Sequence, residues 1–406
     1  MDSVNSPLLF GWPPALKADI KASQWALVNG RTKEAVDRAS TAWLAIQLLS
    51  PDALEPDPNL KLLKVASLLG SALIKDGQTA EAIRVMSDAL CLRRKRMEEE
   101  RQRAVGKSGP KPAISISKEE REYVINLYIL LYHLASKYGP KNDGDAKFYL
   151  AYAYAESLRL SRARDVVSGK PFNRSPPLDA EPLLAVSSEL GLESERDIFA
   201  RLDGDEICHE SPLWRDFLLT QTTVKFTGSD GNLITKTATL MGDLCGKLGY
   251  HGPAYVFHMS AARNAGRDVS LCLDHLNRAF ASALNFHRPQ TKSPCVTSKV
   301  PSAEEIANDC RKMEHFVNEL DLHTWEGSPT GQDIYNFYFI YGLACLKVGQ
   351  REEASQKLKR ALQTARERGF SQKAEEQLKQ MDLPLDSSEI IGTTFEDGIL
   401  SLLLRI

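Results

Sequence analysis

The chain has no apolar run of the length that a membrane-spanning helix requires. The nearest candidate, Tyr335 to Leu346, is twelve residues long, whereas a spanning helix needs about 18 or more. The N-terminus has neither the basic region and long apolar core of a secretory signal nor the arginines of a mitochondrial presequence. We therefore expect neither a transmembrane segment nor a secretory signal.

The chain also has no excess of charge of either sign. It carries 51 lysines and arginines against 53 acidic residues, a formal net charge of −2. Proteins that bind nucleic acid or anionic membranes present strongly basic surfaces, so this balance argues against either as the dominant partner. The fractions of apolar residues (43%) and charged residues (26%) are typical of a soluble globular protein.

Cysteines are few and are not paired in sequence. There are seven of them, widely scattered, and no CxxC pair occurs. An odd and scattered set favours a reducing compartment and burial in the core over a disulfide framework or a redox role.

Motifs for catalysis and metal binding are incomplete wherever they begin. The segment GDLCGKLG at 242–249 lacks the spacing of a phosphate-binding loop, and leucine follows its lysine where a hydroxyl is required. Cys245, His251 and His258 are soft ligand types, but no fourth ligand is suitably spaced. No GxSxG, HExxH or paired-carboxylate arrangement occurs. We expect no enzyme, no cofactor and no metal; an enzyme with a divergent site in 181–232 would require pKa-perturbed residues converging there.

The chain does have a spacing of small residues that recurs four times, with steps of seven, five and seven. In one copy serine takes the first position. Small side chains allow two antiparallel helices to approach closely, so each set predicts a helix, a tight turn at the second position and a second helix. Each hairpin has an apolar flank that it cannot bury alone, which predicts stacking. The four sets are Ser23, Gly30, Ala35, Ala42; Gly70, Gly77, Ala82, Ala89; Gly242, Gly249, Ala254, Ala261; and Gly342, Gly349, Ala354, Ala361.

This frame resembles the tetratricopeptide (TPR) repeat, whose unit is about 34 residues. The resemblance implies an all-α solenoid of stacked antiparallel helical hairpins that binds proteins and does no chemistry of its own. The family's aromatic residue midway along the first helix is replaced here by Ala26, Leu73, Cys245 and Cys345.

Along the chain we expect one continuous helical-repeat body over 1–406, because solenoids grow by addition. Its predicted parts are a TPR-like hairpin at 16–49, a TPR hairpin at 60–100, a disordered basic loop at 104–117, a degenerate TPR-like hairpin at 119–160, an irregular helical region at 181–232, a TPR hairpin plus helix at 235–286, a helix at 302–322, a TPR hairpin plus capping helix at 335–381, and a tail at 382–406.

In the TPR arrangement the first helix of each hairpin lines a concave groove, where we expect a partner to bind. Lysines interleaved with apolar side chains would suit an extended or helical peptide with apolar anchors and some acidic character. The alternative is that the lysines only keep the solenoid soluble. For the basic run at 93–96 both a solvated helix face and a docking role are open. The predicted groove residues are Lys17, Lys21, Lys64, Lys75, Phe339, Ile340, Leu343 and Lys347.

Three tracts are similar to the fungal TPR adaptors of the mitochondrial inner-membrane i-AAA protease. They are 15–36 with 60–83, then 131–158, then 341–381. That family implies a noncatalytic subunit that binds unfolded membrane-protein substrates and hands them to the protease in the intermembrane space. The family's N-terminal anchor helix is missing here. On this resemblance we expect a mitochondrial location, and otherwise a cytoplasmic one; the alternative function is a generic soluble TPR scaffold of a cytosolic or nuclear complex.

Overall fold

The computed structural model describes thirteen α-helices, none of which is long and apolar enough to cross a membrane. The described residues are 12–105, 115–138, 144–162, 164–165, 181–188, 190–192, 207–209, 233–265, 268–286, 300–321 and 331–367. The helices are α1 (Pro14–Val28), α2 (Thr32–Leu48), α3 (Pro58–Lys75), α4 (Thr79–Val105), α5 (Lys118–Tyr138), α6 (Gly144–Arg162), α7 (Glu181–Val186), α8 (Leu233–Lys247), α9 (His251–Asn264), α10 (Val269–Phe286), α11 (Ala303–Asp321), α12 (Gly331–Lys347) and α13 (Arg351–Glu367).

The predicted all-α class is confirmed, with one small addition. A three-stranded parallel sheet joins β1 (Ser115–Ser117), β3 (Ile207–His209) and β2 (Arg164–Asp165), in that order. Each strand has only two or three residues, which is too short for an alternating apolar pattern to show in the sequence.

The chain divides into two compact units, whereas the sequence led us to expect one continuous body. Unit 1 comprises residues 1–178 and 190–233, and unit 2 comprises 179–189 and 234–406. The division falls at the region 181–232, where the repeat spacing is lost.

Unit 1 contains three successive helix pairs, α1/α2, α3/α4 and α5/α6. The second helix of each pair packs on the first helix of the next, α2 on α3 and α4 on α5, and the first helices also touch one another. Helix α3 therefore has neighbours on every side, and every residue from Leu60 to Leu73 is buried.

Unit 2 follows the same order of contacts. Helix α9 packs on α10, α11 on α12 and α12 on α13, while α10 touches both α11 and α12. The short helix α7 packs on α9. Helix α12, enclosed by α10, α11 and α13, is buried from Asp333 to Gly342.

The four hairpins that carry the small-residue frame close with the same turn. Gly30, Gly77, Gly249 and Gly349 all have φ between 72° and 82°, a left-handed conformation that glycine adopts without a steric penalty. The amide after each glycine donates to the carbonyl five residues back, at 2.8–2.9 Å, and the glycine amide donates to the carbonyl three residues back. This is the Schellman arrangement, which satisfies the last carbonyls of the first helix.

In each hairpin the first small residue faces the second helix. A Cβ built on Gly70, Gly242 or Gly342 would lie 2.9 Å or less from a side-chain atom of the residue sixteen positions later, which is Met86, His258 or Leu358. In the first hairpin, Ser23 takes the glycine position and its hydroxyl donates to the carbonyl of Ala35 at 2.9 Å. We call the position sixteen residues after the glycine the packing slot.

Two helices begin as the sequence indicates, while one predicted loop is wrong at both ends. Ser117 Oγ accepts the Glu120 amide at the start of α5, and Ser302 forms a reciprocal capping box with Glu305 at the start of α11. Residues 104–105 of the predicted loop belong to α4, and 115–117 form β1. The remainder of that loop, most of 181–232, the predicted capping helix after 367 and the tail at 382–406 lie outside the described residues.

Candidate functional site

The residues predicted to line a groove do not share one accessible face. Lys21, Lys75 and Lys347 are exposed, and Lys17 and Leu343 are half-buried. The remaining predicted groove residues, Lys64, Phe339 and Ile340, are buried, with exposed fractions of 1–3%.

The prediction of accessibility is therefore wrong for these three residues, and helix packing gives the reason. Lys64 lies on α3, and Phe339 and Ile340 lie on α12, the two helices that have neighbours on every side. The Phe339 ring stacks on Tyr335 at 5.8 Å between centroids, so its surface is used within the core of unit 2 and is not available to a partner.

Two of the exposed lysines bind neighbouring helices. Lys347 Nζ donates to the Leu284 carbonyl near the end of α10 at 2.7 Å, and Lys75 Nζ reaches the Leu27 carbonyl near the end of α1 at 3.5 Å. Both lysines stand five residues after the hairpin glycine, and both serve the last turn of the preceding first helix. A lysine there satisfies carbonyls left open at a helix end, so these side chains contribute to stacking.

The exposed apolar side chains concentrate on the first hairpin. Among the described residues six large hydrophobic side chains are strongly exposed, and four of them belong to α1 and α2: Trp25, Val28, Leu44 and Leu48. Leu48 is 88% exposed and Trp25 is 53% exposed, whereas Trp43, the other tryptophan of the hairpin, is buried. We call these four residues the first-hairpin surface. The sequence suggested a core or cap role for both tryptophans, which holds for Trp43 alone.

Basic groups flank the exposed apolar residues of α1. Lys21, one turn before Trp25 on the same helix, is exposed, and the Arg31 guanidinium lies over the Trp25 ring at 4.7 Å. Residues three or four apart share a helix face, so Lys21, Trp25 and Val28 form one stripe. This stripe combines an aromatic anchor with positive charge, the composition that we had expected on α12.

A buried ionic cluster, which we call the arginine cluster, joins α4, α5 and α6 in unit 1. Its members are Arg93, Glu120, Arg121, Glu156 and Arg159. Glu156 accepts hydrogen bonds from Arg121 and Arg159, each at 2.8 Å, and Arg93 donates to Glu120 at 2.7 Å. The first four members are at most 4% exposed.

Electrostatics keeps Glu156 ionised inside this cluster. Burial by itself would raise the pKa of Glu156, but the guanidiniums of Arg159, Arg121 and Arg93 lower it to about 2. A carboxylate surrounded by three cations in a poorly solvated site favours its charged form. The cluster therefore holds three helices together by charge at neutral pH and offers no proton for acid or base chemistry.

The sequence did not reveal the arginine cluster. The basic run at 93–96 was left between a solvated face and a docking site, yet Arg93 is buried and Arg94 lies 4.7 Å from the Tyr152 ring centre. One signal was available: Glu156 stands within the otherwise apolar stretch AYAYAESL, and a buried acid on such a helix requires a cationic partner.

A second polar cluster, which we call the histidine cluster, joins α8, α9 and α10 in unit 2. Its members are Asp243, His258, Asp274, His275 and Arg278. Arg278 donates to Asp274 at 3.0 Å and to both oxygens of Asp243 at 3.1 and 3.3 Å. His258 Nε2 lies 3.7 Å from Asp243, and His275 Nδ1 lies 3.8 Å from Asp274. His258 fills the packing slot that Met86 and Leu358 fill in two other hairpins.

Both histidines are held neutral by their surroundings. Burial lowers the pKa of His258 well below 6.5, and the charge of Arg278 acts in the same direction. Burial likewise lowers the pKa of His275 to about 4, although Asp274 opposes the change. The Thr239 hydroxyl donates its proton to the Thr235 carbonyl, so His275 Nε2 must donate to Thr239 Oγ at 3.3 Å and its Nδ1 is unprotonated.

No group of histidine, cysteine or acidic side chains in the described part of the chain is arranged to hold a metal ion. Cys245 and His258 are both buried in the hairpin that the sequence singled out. The five cysteines that the structure describes are free, and burial raises the pKa of Cys345 to about 11. Cys245 and Cys345 occupy core positions of the repeat, as the sequence indicated.

Comparisons with known proteins add no assignment to this geometry. Neither protein-family models nor the curated proteins give a match to the chain.

Proposed function

We propose that this protein is a noncatalytic adaptor, in which helical hairpins of the TPR type present a surface to a segment of a protein partner. The observation that carries the proposal is the concentration of exposed Trp25, Val28, Leu44 and Leu48 on one hairpin. Contiguous exposed apolar side chains mark interaction sites on proteins, and tryptophan is enriched among the residues that dominate binding energies.

The order of packing supports the TPR part of the proposal. Four hairpins share one glycine turn and one frame of small residues. Within each unit, second helices pack on the first helices that follow, and first helices touch one another, as expected of stacked repeats.

The partner that fits the first-hairpin surface is a peptide segment with apolar anchors and acidic residues. Trp25 and Val28 provide apolar contact area, while Lys21 and Arg31 provide positive charge beside them. Charge complementarity would orient the segment and raise its association rate, while the apolar anchors would supply most of the affinity.

The resemblance of three tracts to adaptors of the i-AAA protease gives a narrower form of the proposal. In that form the protein works in mitochondria, and the segments bound at the first-hairpin surface belong to unfolded membrane proteins that are passed to the protease. The alternative is a scaffold that holds together a cytosolic or nuclear complex.

Proximity labelling with the full-length protein tests the proposal. The wild type is compared with Trp25→Ala/Leu48→Ala and with Phe316→Ala, a control that removes an exposed large apolar side chain of α11. We expect labelling of the wild-type partner set to fall about tenfold or more in the double variant, because truncating an anchor weakens binding, and to persist in the control. An unchanged partner set in the double variant would overturn the proposal.

The same experiment separates the two forms. The narrower form predicts that the labelled set contains a membrane AAA protease and that loss of the protein lengthens the lifetimes of membrane proteins. The scaffold form predicts stoichiometric cytosolic or nuclear partners and unchanged membrane-protein lifetimes.

A further inference from the structure

The arginine cluster holds more guanidinium than its carboxylates can neutralise. Three guanidiniums, Arg93, Arg121 and Arg159, face two carboxylates, Glu120 and Glu156, which leaves an excess of one positive charge. Glu156 uses both of its oxygens on Arg121 and Arg159.

Two further arginines of α4 border this cluster. Arg94 lies on the aromatic rings of Tyr152 and Phe148. Arg96 is half-buried, and the only acid that acts on its charge is Glu99 on its own helix. Burial lowers the pKa of Arg96, since Glu99 offsets only part of the loss of hydration. The positive excess therefore extends along α4 toward solvent.

Donors without acceptors lie within this excess. Arg93 Nη2 and Arg96 Nη1 are both buried atoms with no hydrogen-bond partner. The two residues are three positions apart on α4, and such residues are neighbours on one helix face. A buried N–H group without an acceptor is costly, and each such case in a folded protein calls for an explanation.

We propose that the face of α4 formed by Arg93 and Arg96 binds the phosphate group of a small anion. The two guanidiniums offer planar forks of N–H donors, which match the oxygens of phosphate. A dianion would offset the positive excess more completely than a carboxylate, which carries a single charge. The half-buried Arg96 forms the side that solvent reaches, and Arg93 forms the inner wall. This site is independent of the first-hairpin surface, so either proposal can fail without the other.

Titration calorimetry on the full-length protein tests the site. Inorganic phosphate and glycerol phosphate are titrated in separate arms at constant ionic strength, with sodium chloride as the reference salt. We expect saturable binding of at least one phosphate species. Binding of inorganic phosphate would identify the free anion as a ligand, and binding of glycerol phosphate alone would identify a phosphate ester.

Two variants of α4 make the test specific. Arg96→Gln removes a half-buried guanidinium that has no hydrogen bond in the arginine cluster, and we expect it to weaken phosphate binding about tenfold or more with unchanged helical circular dichroism. Arg84→Gln removes an exposed arginine of the same helix that pairs with Glu81, and we expect wild-type binding. Absence of saturable phosphate binding in the wild type, or equal binding by wild type and Arg96→Gln, would overturn the proposal.

Discussion

The arginine cluster of unit 1 and the histidine cluster of unit 2 solve the same problem in opposite ways. Each joins three consecutive helices through buried polar side chains. In unit 1 the side chains are charged and are neutralised by partners at 2.7–2.8 Å. In unit 2 the histidines are uncharged, and His258 occupies a slot that other hairpins fill with apolar side chains. The contrast shows that the hairpin backbone does not dictate the chemistry of what it encloses.

Removal of Glu156 is expected to have the largest effect. Glu156→Gln would leave the guanidiniums of Arg121 and Arg159 buried without their counter-charge, and breaking a buried ion pair costs about 3–5 kcal/mol. The measurement is urea unfolding followed by circular dichroism. Glu81→Gln, which removes the exposed partner of Arg84, is the control and should cost less than about 1 kcal/mol. Equal losses in the two variants would show that the arginine cluster contributes no more than a surface pair.

Acid should separate the two clusters. The folded pKa of His275, about 4, lies below its ordinary value of 6.5, so the unfolded state binds protons first and stability falls as pH drops from 6.5 to 4. The full loss for His275 is roughly 3 kcal/mol. Glu156, whose pKa falls from 4.5 to about 2, loses its contribution only below pH 4.5.

Hydrogen exchange measured by mass spectrometry, corrected for intrinsic rates, can follow α8–α10 and α4–α6 separately across this range. Protection of α8–α10 should decline first. His258→Met, which introduces the residue found in the slot of the α3/α4 hairpin, should reduce the decline. The same protection of α8–α10 at pH 7 and pH 4.5 would contradict the assignment of neutral histidines.

Alanine at the hairpin glycines should distinguish the packing slots. A Cβ at Gly242 would lie 2.6 Å from the His258 ring, and one at Gly342 would lie 2.6 Å from Leu358 Cγ, so we expect each substitution to cost about 1–3 kcal/mol. At Gly70 the Cβ meets the flexible Met86 thioether at 2.9 Å. Because alanine also gains about 0.5–1 kcal/mol over glycine within a helix, Gly70→Ala should be nearly neutral in thermal unfolding. Equal costs at the three sites would show that the slot residue does not matter.

The smallest effect is expected at the lysines that bind neighbouring helices. Lys347→Met removes a 2.7 Å hydrogen bond to the Leu284 carbonyl and should cost about 0.5–1 kcal/mol. Lys75→Met removes only a 3.5 Å contact and should cost less. A larger loss for Lys75→Met, measured by the same urea unfolding, would contradict the capping role assigned from these distances.

The sequence predicted the hairpins because their requirements are local. Gly242 and Gly342 lie where two helices touch, and Gly249 and Gly349 adopt a left-handed turn, so each position restricts the residue type on its own. The short strands and the clusters were not predictable in this way. Arg121 and Glu156 are thirty-five residues apart and meet only after α5 and α6 have packed.

The exposure of the predicted groove residues was misjudged for a related reason. Lys64 and Phe339 were assigned to an accessible face from the TPR frame, yet the helices that carry them are apolar around most of their circumference. A helix with apolar residues on all sides is typical of a buried element. This signal, read before the frame was applied, would have favoured burial for both residues and left α1 as the more accessible first helix.

The shared turn has a consequence for how such a chain can diverge. Each hairpin is closed by amide-to-carbonyl hydrogen bonds at a glycine, so the bend between its helices does not depend on which side chains lie further along them. Mutations elsewhere in a hairpin can therefore exchange thioether for imidazole, or serine for glycine, without reopening the bend. A chain built from such modules can acquire a new interior chemistry in one module while its neighbours keep theirs.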